Sequence, residues 1–392
     1  MDNLESFDIL PPEELSGISS AGMPNNRNPE ADSLRNEIAE LSKEGYFFLK
    51  GDNISAAVDS FKKILALDDN NNYALVGLGD SARKQHNFSL AADYYNRCLT
   101  YHPSNNYALF GLADCYKAMR QYHKAIDIWE RYLAHDDQNI TVLTRVADAY
   151  RKIRDFKNSK ELYLKVLEME KDNPYALIGL GHLHYDFKEY ADALYYWMRM
   201  YEIGDDKVDI RVLTSIGNCH RKLKTFEKGV PFFERALEMD ANNFYALFGL
   251  ADCYRGMNMQ ARSIEYWNKI LKNDPHNKVI LTRAGDAYRT LGDFKTATEY
   301  YEKALNIEFD LYAVLGLALL SKAQGNYDDA IESLARLIQA DPKNYRLYID
   351  LADCYEKKGD KKQAVEVLQN CQRQGIRSQI INETLARLQQ DA

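Results

Sequence analysis

Proline and glycine are scarce in this chain, at 9 and 20 of 392 residues. Their scarcity argues for long regular segments with little loop, because these two residues interrupt helices and strands. The six cysteines are scattered; none stands in a CxxC pair and no zinc-ligand spacing appears, so a reduced, cytoplasmic protein without metal or cofactor is the simplest expectation. Positive charge is also short. Fifty Lys and Arg face 58 Asp and Glu, a net charge of -8, too acidic for a nucleic-acid module that works by neutralising phosphates. No apolar run reaches the roughly 18–20 residues that span a bilayer. The N-terminus, MDNLESFDIL, lacks the basic segment and apolar core of a secretory signal. Tyrosine is the one residue in excess, at 28.

What the chain does have is internal repetition. Residues 107–116 read YALFGLADCY and residues 245–254 read YALFGLADCY again. Weaker copies recur at a period near 34: YALVGLGDSA from Tyr73, YALIGLGHLH from Tyr175 and YAVLGLALLS from Tyr312. Between them lie VLTRVADAYR from Val142, VLTSIGNCHR from Val212 and ILTRAGDAYR from Ile280. Ten units follow, starting at Ile38, Asn72, Asn106, Ile140, Pro174, Ile210, Phe244, Lys278, Leu311 and Tyr345. The eighth residue is Gly or Ala in every unit, and the twentieth is always small. The twenty-fourth is a large ring in eight of them, as in Phe61, Tyr95, Trp129 and Trp197. Small residues at eight and twenty let two helices approach closely, and the ring fills the space beside them. Each unit thus reads as two amphipathic helices with a turn near its middle. Asn72, Asn106, Asn173 and Asn243 are placed to cap first helices, and Pro103, Pro275 and Pro342 to end second ones.

The spacing resembles the tetratricopeptide repeat (TPR) over residues 38–376. The resemblance implies an all-α fold, a right-handed α-solenoid of helix-turn-helix repeats. Three segments are expected: an acidic, disordered tail over 1–33, the solenoid over 34–376, and a capping helix over 377–392. The tail holds four prolines and seven acidic residues against one base, Arg27. In the cap, Ile380, Ile381, Leu385 and Leu388 have helical spacing and suit an apolar solenoid end; a contact between two copies is the alternative, so the chain is expected to be a monomer or a weak homodimer through this end. A longer period also shows: Trp129, Trp197 and Trp267 recur every second unit, and the fifth-to-sixth step carries two extra residues near 204–209.

Catalytic constellations are hard to find. Gly77 and Gly79 precede Lys84 without the order of a phosphate loop and fall at repeat positions. His182 and His184, two apart on a helix, point to different faces. His184 and His220 occupy the eleventh position, a packing slot. Cys115, Cys219, Cys253 and Cys354 occupy the tenth, where a small buried residue fits.

In TPR stacks the first helices line a concave groove, and the resemblance implies that positions two, five, six, nine, twelve and thirteen face it. Position two then supplies Tyr73, Tyr107, Tyr175, Tyr245 and Tyr312. Position nine supplies Asp80, Asp114, Asp148, Asn218, Asp252 and Asp286. Position twelve supplies Arg83, Lys117, Arg151, Arg221, Arg255 and Arg289, and position six adds Arg145 and Arg283. The expectation is a groove with a tyrosine row, an acidic row and a basic row. The same residues have a plainer reading, since Asp148–Arg151 or Asp252–Arg255 are i,i+3 pairs worth only about 0.2–0.5 kcal/mol each. Position five carries no lysine, which speaks against the carboxylate clamp of chaperone-binding TPR domains. The function expected is a non-catalytic scaffold or adaptor that binds other proteins or peptides in the groove, with no nucleic acid and no membrane span. The alternatives are a regulatory protein gated by its tail, which carries FDIL at 7–10 and PPEEL at 11–15, or a small-molecule, lipid-binding or enzyme-accessory subunit.

Overall fold

A computed structural model describes residues 29–204 and 208–390. The tail segments at 7–10 and 11–15 lie outside the described residues. The chain divides into two units between Ile203 and Gly204, at the step that carries the two extra residues.

Unit one contains α1 (Pro29–Lys50), α2 (Ile54–Leu67), α3 (Asn72–Lys84), α4 (Phe88–Tyr101), α5 (Asn106–Ala118), α6 (Tyr122–Leu133), α7 (Ile140–Lys152), α8 (Phe156–Met169), α9 (Pro174–Asp186) and α10 (Tyr190–Gly204). Unit two contains α11 (Ile210–Lys222), α12 (Phe226–Met239), α13 (Phe244–Gly256), α14 (Gln260–Asn273), α15 (Lys278–Leu291), α16 (Phe294–Ile307), α17 (Leu311–Ala323), α18 (Tyr327–Ala340), α19 (Tyr345–Lys357), α20 (Lys361–Arg373) and α21 (Gln379–Gln390). Among the described residues every regular element is a helix. Odd-numbered helices up to α19 are the first helices of repeats, and each packs on the even-numbered helix that follows. Nine of them begin at the residue where the sequence period places a repeat start. The exception is α1, which begins at Pro29, so residues 29–33 are helical rather than part of the expected disordered tail.

The caps sit one residue earlier than expected in two repeats. Asn71 and Asn105 accept from Ala74 N and Ala108 N, while Asn72 and Asn106 are already helical. The doubled asparagines leave a choice, and the upstream one takes the extended backbone that a cap requires. Asn173 and Asn243 cap as expected, and Pro103, Pro275 and Pro342 follow α4, α14 and α18. All ten turns between first and second helices place their fifteenth repeat residue at positive φ. Seven are not glycine, from His86 at 57° to Lys188 at 66°, and three are Gly292, Gly325 and Gly359.

In four repeats the ring at position twenty-four is clamped between glycines of two successive first helices. Tyr95 is fully buried. A methyl group added to Gly79 would lie 2.5 Å from its ring, and one added to Gly111, in the next repeat, 2.4 Å. Phe233 sits in the same way between Gly217 and Gly249, and Tyr301 between Gly285 and Gly316. Where the ring is Trp129 or Trp267, the following repeat carries Arg145 or Arg283 in place of that sixth-position glycine. The guanidinium of Arg283 lies 5.8 Å from the Trp267 ring. After each of the three tryptophans the sixth-position glycine of the next repeat is replaced, by Arg145, Ser215 and Arg283.

All six cysteines are free and buried, and burial pushes Cys115, Cys219 and Cys253 up to about 12, as suits packing residues. At the C-terminal end Ile381, Leu385 and Leu388 are buried against Tyr348, Leu368 and Cys371, so α21 covers the last repeat; Ile380 faces solvent.

Candidate functional site

Positions six, nine and twelve of the first helices form an arginine–aspartate ladder in each unit. In unit one, Arg83 donates to Asp80 in its own helix at 3.1 Å and to Asp114 in the next repeat at 3.3 Å. Arg145, from the repeat after, donates to the other oxygen of Asp114 at 2.7 Å. Its guanidinium lies 4.7 Å from the centre of the Phe110 ring. Arg151 bridges Asp148 at 2.7 Å and Asp186 at 2.6 Å.

Unit two repeats the pattern four repeats later. Arg221 donates to Asp252 at 2.7 Å and Arg283 to the other oxygen at 3.0 Å. Both lie over Phe248, at 5.7 and 5.0 Å. Arg255 adds a third donor to Asp252 at 2.7 Å. Arg221 also reaches Asn218 at 3.2 Å, and Arg289 lies 3.7 Å from Asp286. The identical decapeptides at 107–116 and 245–254 thus hold the central aspartates of two equivalent clusters.

The expected i,i+3 pairs are present for Asp80–Arg83, Asp148–Arg151, Asp252–Arg255 and Asp286–Arg289. The spacing rule missed the bonds between repeats, which tie Asp114 and Asp252 to helices on either side. Asp80 and Asp252 are also buried rather than open to a groove. Their environments differ. Burial pushes the Asp80 carboxyl up, against the pull of Arg83 and of the Tyr95 hydroxyl that donates to it at 2.7 Å. Burial acts on Asp252 too, but the hydrogen bond and charge of Arg255, with Arg221 and Arg283, hold it below the ordinary range. Burial lowers Arg283 from the usual arginine value; Asp252 opposes that shift, and Arg255 and Arg221 add to it by repulsion.

The tyrosine row is discontinuous. Tyr175, Tyr245 and Tyr312 are 72%, 68% and 74% exposed, whereas Tyr73 and Tyr107 are half-buried. Val279, at position two between Tyr245 and Tyr312, is also exposed.

Three residues on this face were overlooked in the sequence, and repeat register alone would have found them. His182 holds the ninth position of its repeat, where seven of the other nine units carry Asp or Asn. It keeps contact with solvent but is crowded by protein, and that crowding, reinforced by Arg151, pushes its imidazole down to about 4. Lys322, at position twelve, donates to Asp350 at 2.8 Å and lies 2.7 Å from Asp353. Asp186, at position thirteen, is the second partner of Arg151.

His184 and His220 are core residues as expected: His184 stacks on Tyr196 and His220 on Phe232. His184, Glu189 and Asp192 come within 4.8 Å of one another, but the Nδ1 of His184 is already engaged by Glu189 at 2.6 Å. No helix among the described residues is long and apolar enough to cross a membrane.

Paired helices at a fixed period, with small residues at their contact and a ring beside it in eight of ten pairs, define a helical-repeat protein with a laddered first-helix face. Models of the tetratricopeptide repeat match residues 76–140, 145–207, 210–243, 245–277, 280–311 and 322–374, and the chain belongs to that family. Among solved structures it is similar to YrrB, described as a TPR protein with an unusual peptide-binding site, at 18% identity over 47% of this chain and 95% of that one, with a TM-score of 0.42. It is similar to PilW, a type IV pilus biogenesis factor, at 18% identity over 50% and 91% of the two chains (TM-score 0.45). A tetratricopeptide repeat protein from Parabacteroides merdae shares 16% identity over 70% of this chain and 94% of its own, with a TM-score of 0.39. No curated protein matches the chain.

Proposed function

We propose that this protein is a non-catalytic interaction scaffold that takes extended peptide segments of partner proteins on the first-helix faces of its units, each unit by itself. One observation carries the reading: Tyr175, Tyr245 and Tyr312 stand exposed at the second position of their repeats, beside the arginine–aspartate ladder. Packing between helices does not need a tyrosine that is about seven-tenths open. A tyrosine offers large apolar area and one hydroxyl at low entropic cost, which suits peptide recognition. The ladder supplies ordered donors and acceptors on the same face.

Alanine replacement of Tyr175, Tyr245 and Tyr312 together tests the reading. The variant is expected to lose partners in affinity purification from lysate while its far-ultraviolet circular dichroism stays unchanged. Full retention of partners by a folded triple variant would remove the face from consideration.

A further inference from the structure

One histidine of the fifth repeat stands beside two carboxylates. His184, at the eleventh position, is 2% exposed and lies in the last turn of α9. Glu189 directly precedes α10, and Asp192 lies in its first turn. The ligand atoms of the three all lie within 4.8 Å of one another, and Glu189 stands 2.6 Å from the Nδ1 of His184. The imidazole is held by its neighbours: it stacks on Tyr196 at 5.4 Å and meets Phe156 nearly at right angles at 5.3 Å. The carboxylates can adjust, since Glu189 is 46% exposed and Asp192 is open to solvent.

Two features set this group apart. The first is charge. Among the described residues neither Glu189 nor Asp192 has a Lys or Arg within 4.0 Å, so two carboxylates stand close together with only an imidazole beside them. Like charges at this distance repel, and a cation among them would turn the repulsion into attraction.

The second feature is register. In the sixth repeat His220 holds the same eleventh position, and its Nδ1 meets Thr225, the counterpart of Glu189, at 2.9 Å. Lys228 is the counterpart of Asp192, and its charge adds to burial in lowering the His220 imidazole. Packing a histidine in this slot therefore does not require the two carboxylates. No other repeat has a histidine and two carboxylates at positions eleven, sixteen and nineteen.

We propose that His184 Nδ1, Glu189 and Asp192 form a site for a first-row divalent cation of the zinc type. One imidazole nitrogen and two carboxylate oxygens are a set that such ions accept, whereas Mg2+ and Ca2+ favour oxygen alone. Three protein ligands leave a fourth position to water. Bonds of about 2.1 Å set tetrahedral ligands about 3.4 Å apart, so Glu189 needs to draw back from Nδ1 by less than about 1 Å. The cation takes the place of the proton between Nδ1 and Glu189, and the neutral imidazole then carries its one proton on Nε2. Nε2 is buried without a hydrogen-bond partner. The site thus lacks the outer hydrogen bond that strengthens metal-binding histidines, and its affinity is micromolar rather than tighter. A bound ion clips the end of α9 to the start of α10 across the turn at Lys188. This goes beyond the proposed function and does not depend on it.

Isothermal titration calorimetry of the full chain, first stripped with a chelator, against ZnCl2 tests it. One saturable site is expected. Glu189→Gln and Asp192→Asn are each expected to weaken it by about tenfold or more, while Glu202→Gln, the same charge change further along α10, stays within about twofold. The double variant Thr225→Glu/Lys228→Asp supplies the missing carboxylates beside His220 and is expected to add a second site. Hydrogen exchange on the unsubstituted chain gives a readout that no folding defect can confuse: saturating ZnCl2 is expected to slow exchange over residues 184–192 and leave 220–228 unchanged. No saturable binding up to millimolar ZnCl2 would overturn the site. Binding that both carboxylate variants leave intact, or slowed exchange that misses residues 184–192, would place the ion elsewhere and overturn it as well.

Discussion

Replacing Gly111 by alanine tests how the packing of the repeats is coupled to the ladder. The new methyl would lie 2.4 Å from Cζ of Tyr95 and 2.7 Å from its hydroxyl. Carbon atoms in good contact stand about 3.5–4.0 Å apart, so the ring would have to retreat by more than about 1 Å. It has nowhere to go. The ring is fully buried, the backbone at Gly79 closes its other side, and its hydroxyl is fixed to Asp80 at 2.7 Å. Overpacking of this kind costs about 1–3 kcal/mol. Pulling the hydroxyl away from a buried carboxylate adds about 1.5–3 kcal/mol. Gly111→Ala is therefore expected to destabilise the surrounding repeats by about 4 kcal/mol. Gly249→Ala is the internal control. Its methyl would meet Phe233 at 2.2 Å, as tight a clash, but phenylalanine has no hydroxyl to lose, so only the overpacking cost of about 1–3 kcal/mol applies. Repeat arrays unfold in parts, so a single global transition is the wrong readout. Urea titration followed by hydrogen exchange on peptides from α3–α5 and α11–α13 resolves the two regions. If the two variants lose the same stability to within about 0.5 kcal/mol, the tyrosine hydroxyl does not hold the ring, and the link from packing to ladder fails.

The turns offer a second test. Arg120 sits at φ 59°, where an L residue is disfavoured by about 1–2 kcal/mol and glycine itself loses about 0.5–1 kcal/mol of entropy, so Arg120→Gly is expected to raise stability by up to about 1 kcal/mol in thermal melts. Gly292→Ala, at φ 84° with no atom within 4 Å of the new methyl, is expected to lose about 1 kcal/mol from backbone strain alone. At the C-terminal end, Leu388→Ala removes a buried side chain of α21 and is expected to cost about 2–4 kcal/mol, and to expose the Tyr348, Leu368 and Cys371 surface to self-association visible in light scattering. His182 is expected to titrate near 4 by NMR. The unfolded chain takes up that proton near the ordinary histidine value of about 6.5, so stability falls as pH drops from there toward 4. His182→Asn is expected to flatten that part of the profile, and an unchanged profile would contradict the assignment.

Most of the fold was legible because a solenoid repeats its constraints. Position eight must be small in every unit, so ten weak signals combine into one frame, and nine first helices begin where that frame places them. Local choices were less legible. Nothing in the pairs Asn71–Asn72 and Asn105–Asn106 says which asparagine caps, because both side chains can accept the same orphan N–H groups. The positive-φ turn residues were hidden by their identities: His86, Arg120 and Lys224 are not residues that announce a left-handed backbone, and stacking of the helices imposes it on them. The ladder was half legible. Its within-helix pairs follow from i,i+3 spacing, but Arg83–Asp114 and Arg221–Asp252 depend on the offset between neighbouring first helices, which no single repeat encodes.

The duplicated decapeptide then separates two demands on the same residues. In both units an aspartate at position nine ties three repeats together, and one of the arginines that reach it, Arg145 or Arg283, stands in the repeat after a tryptophan. That much is structural and is conserved between the two copies within this chain. The differences fall elsewhere: Asp80 becomes Asn218, Asp186 becomes Ala323, and Arg283 and Arg289 are at least twice as exposed as their counterparts Arg145 and Arg151. None of these changes is needed for stacking, since unit one stacks with the carboxylates in place. Around Asp252 three arginines share one carboxylate, where Asp80 and Asp114 together take Arg83 and Arg145, and like charges held this close repel one another. Burial and that repulsion lower Arg283 from the usual arginine value, a cost to folding that Asp252 offsets only in part.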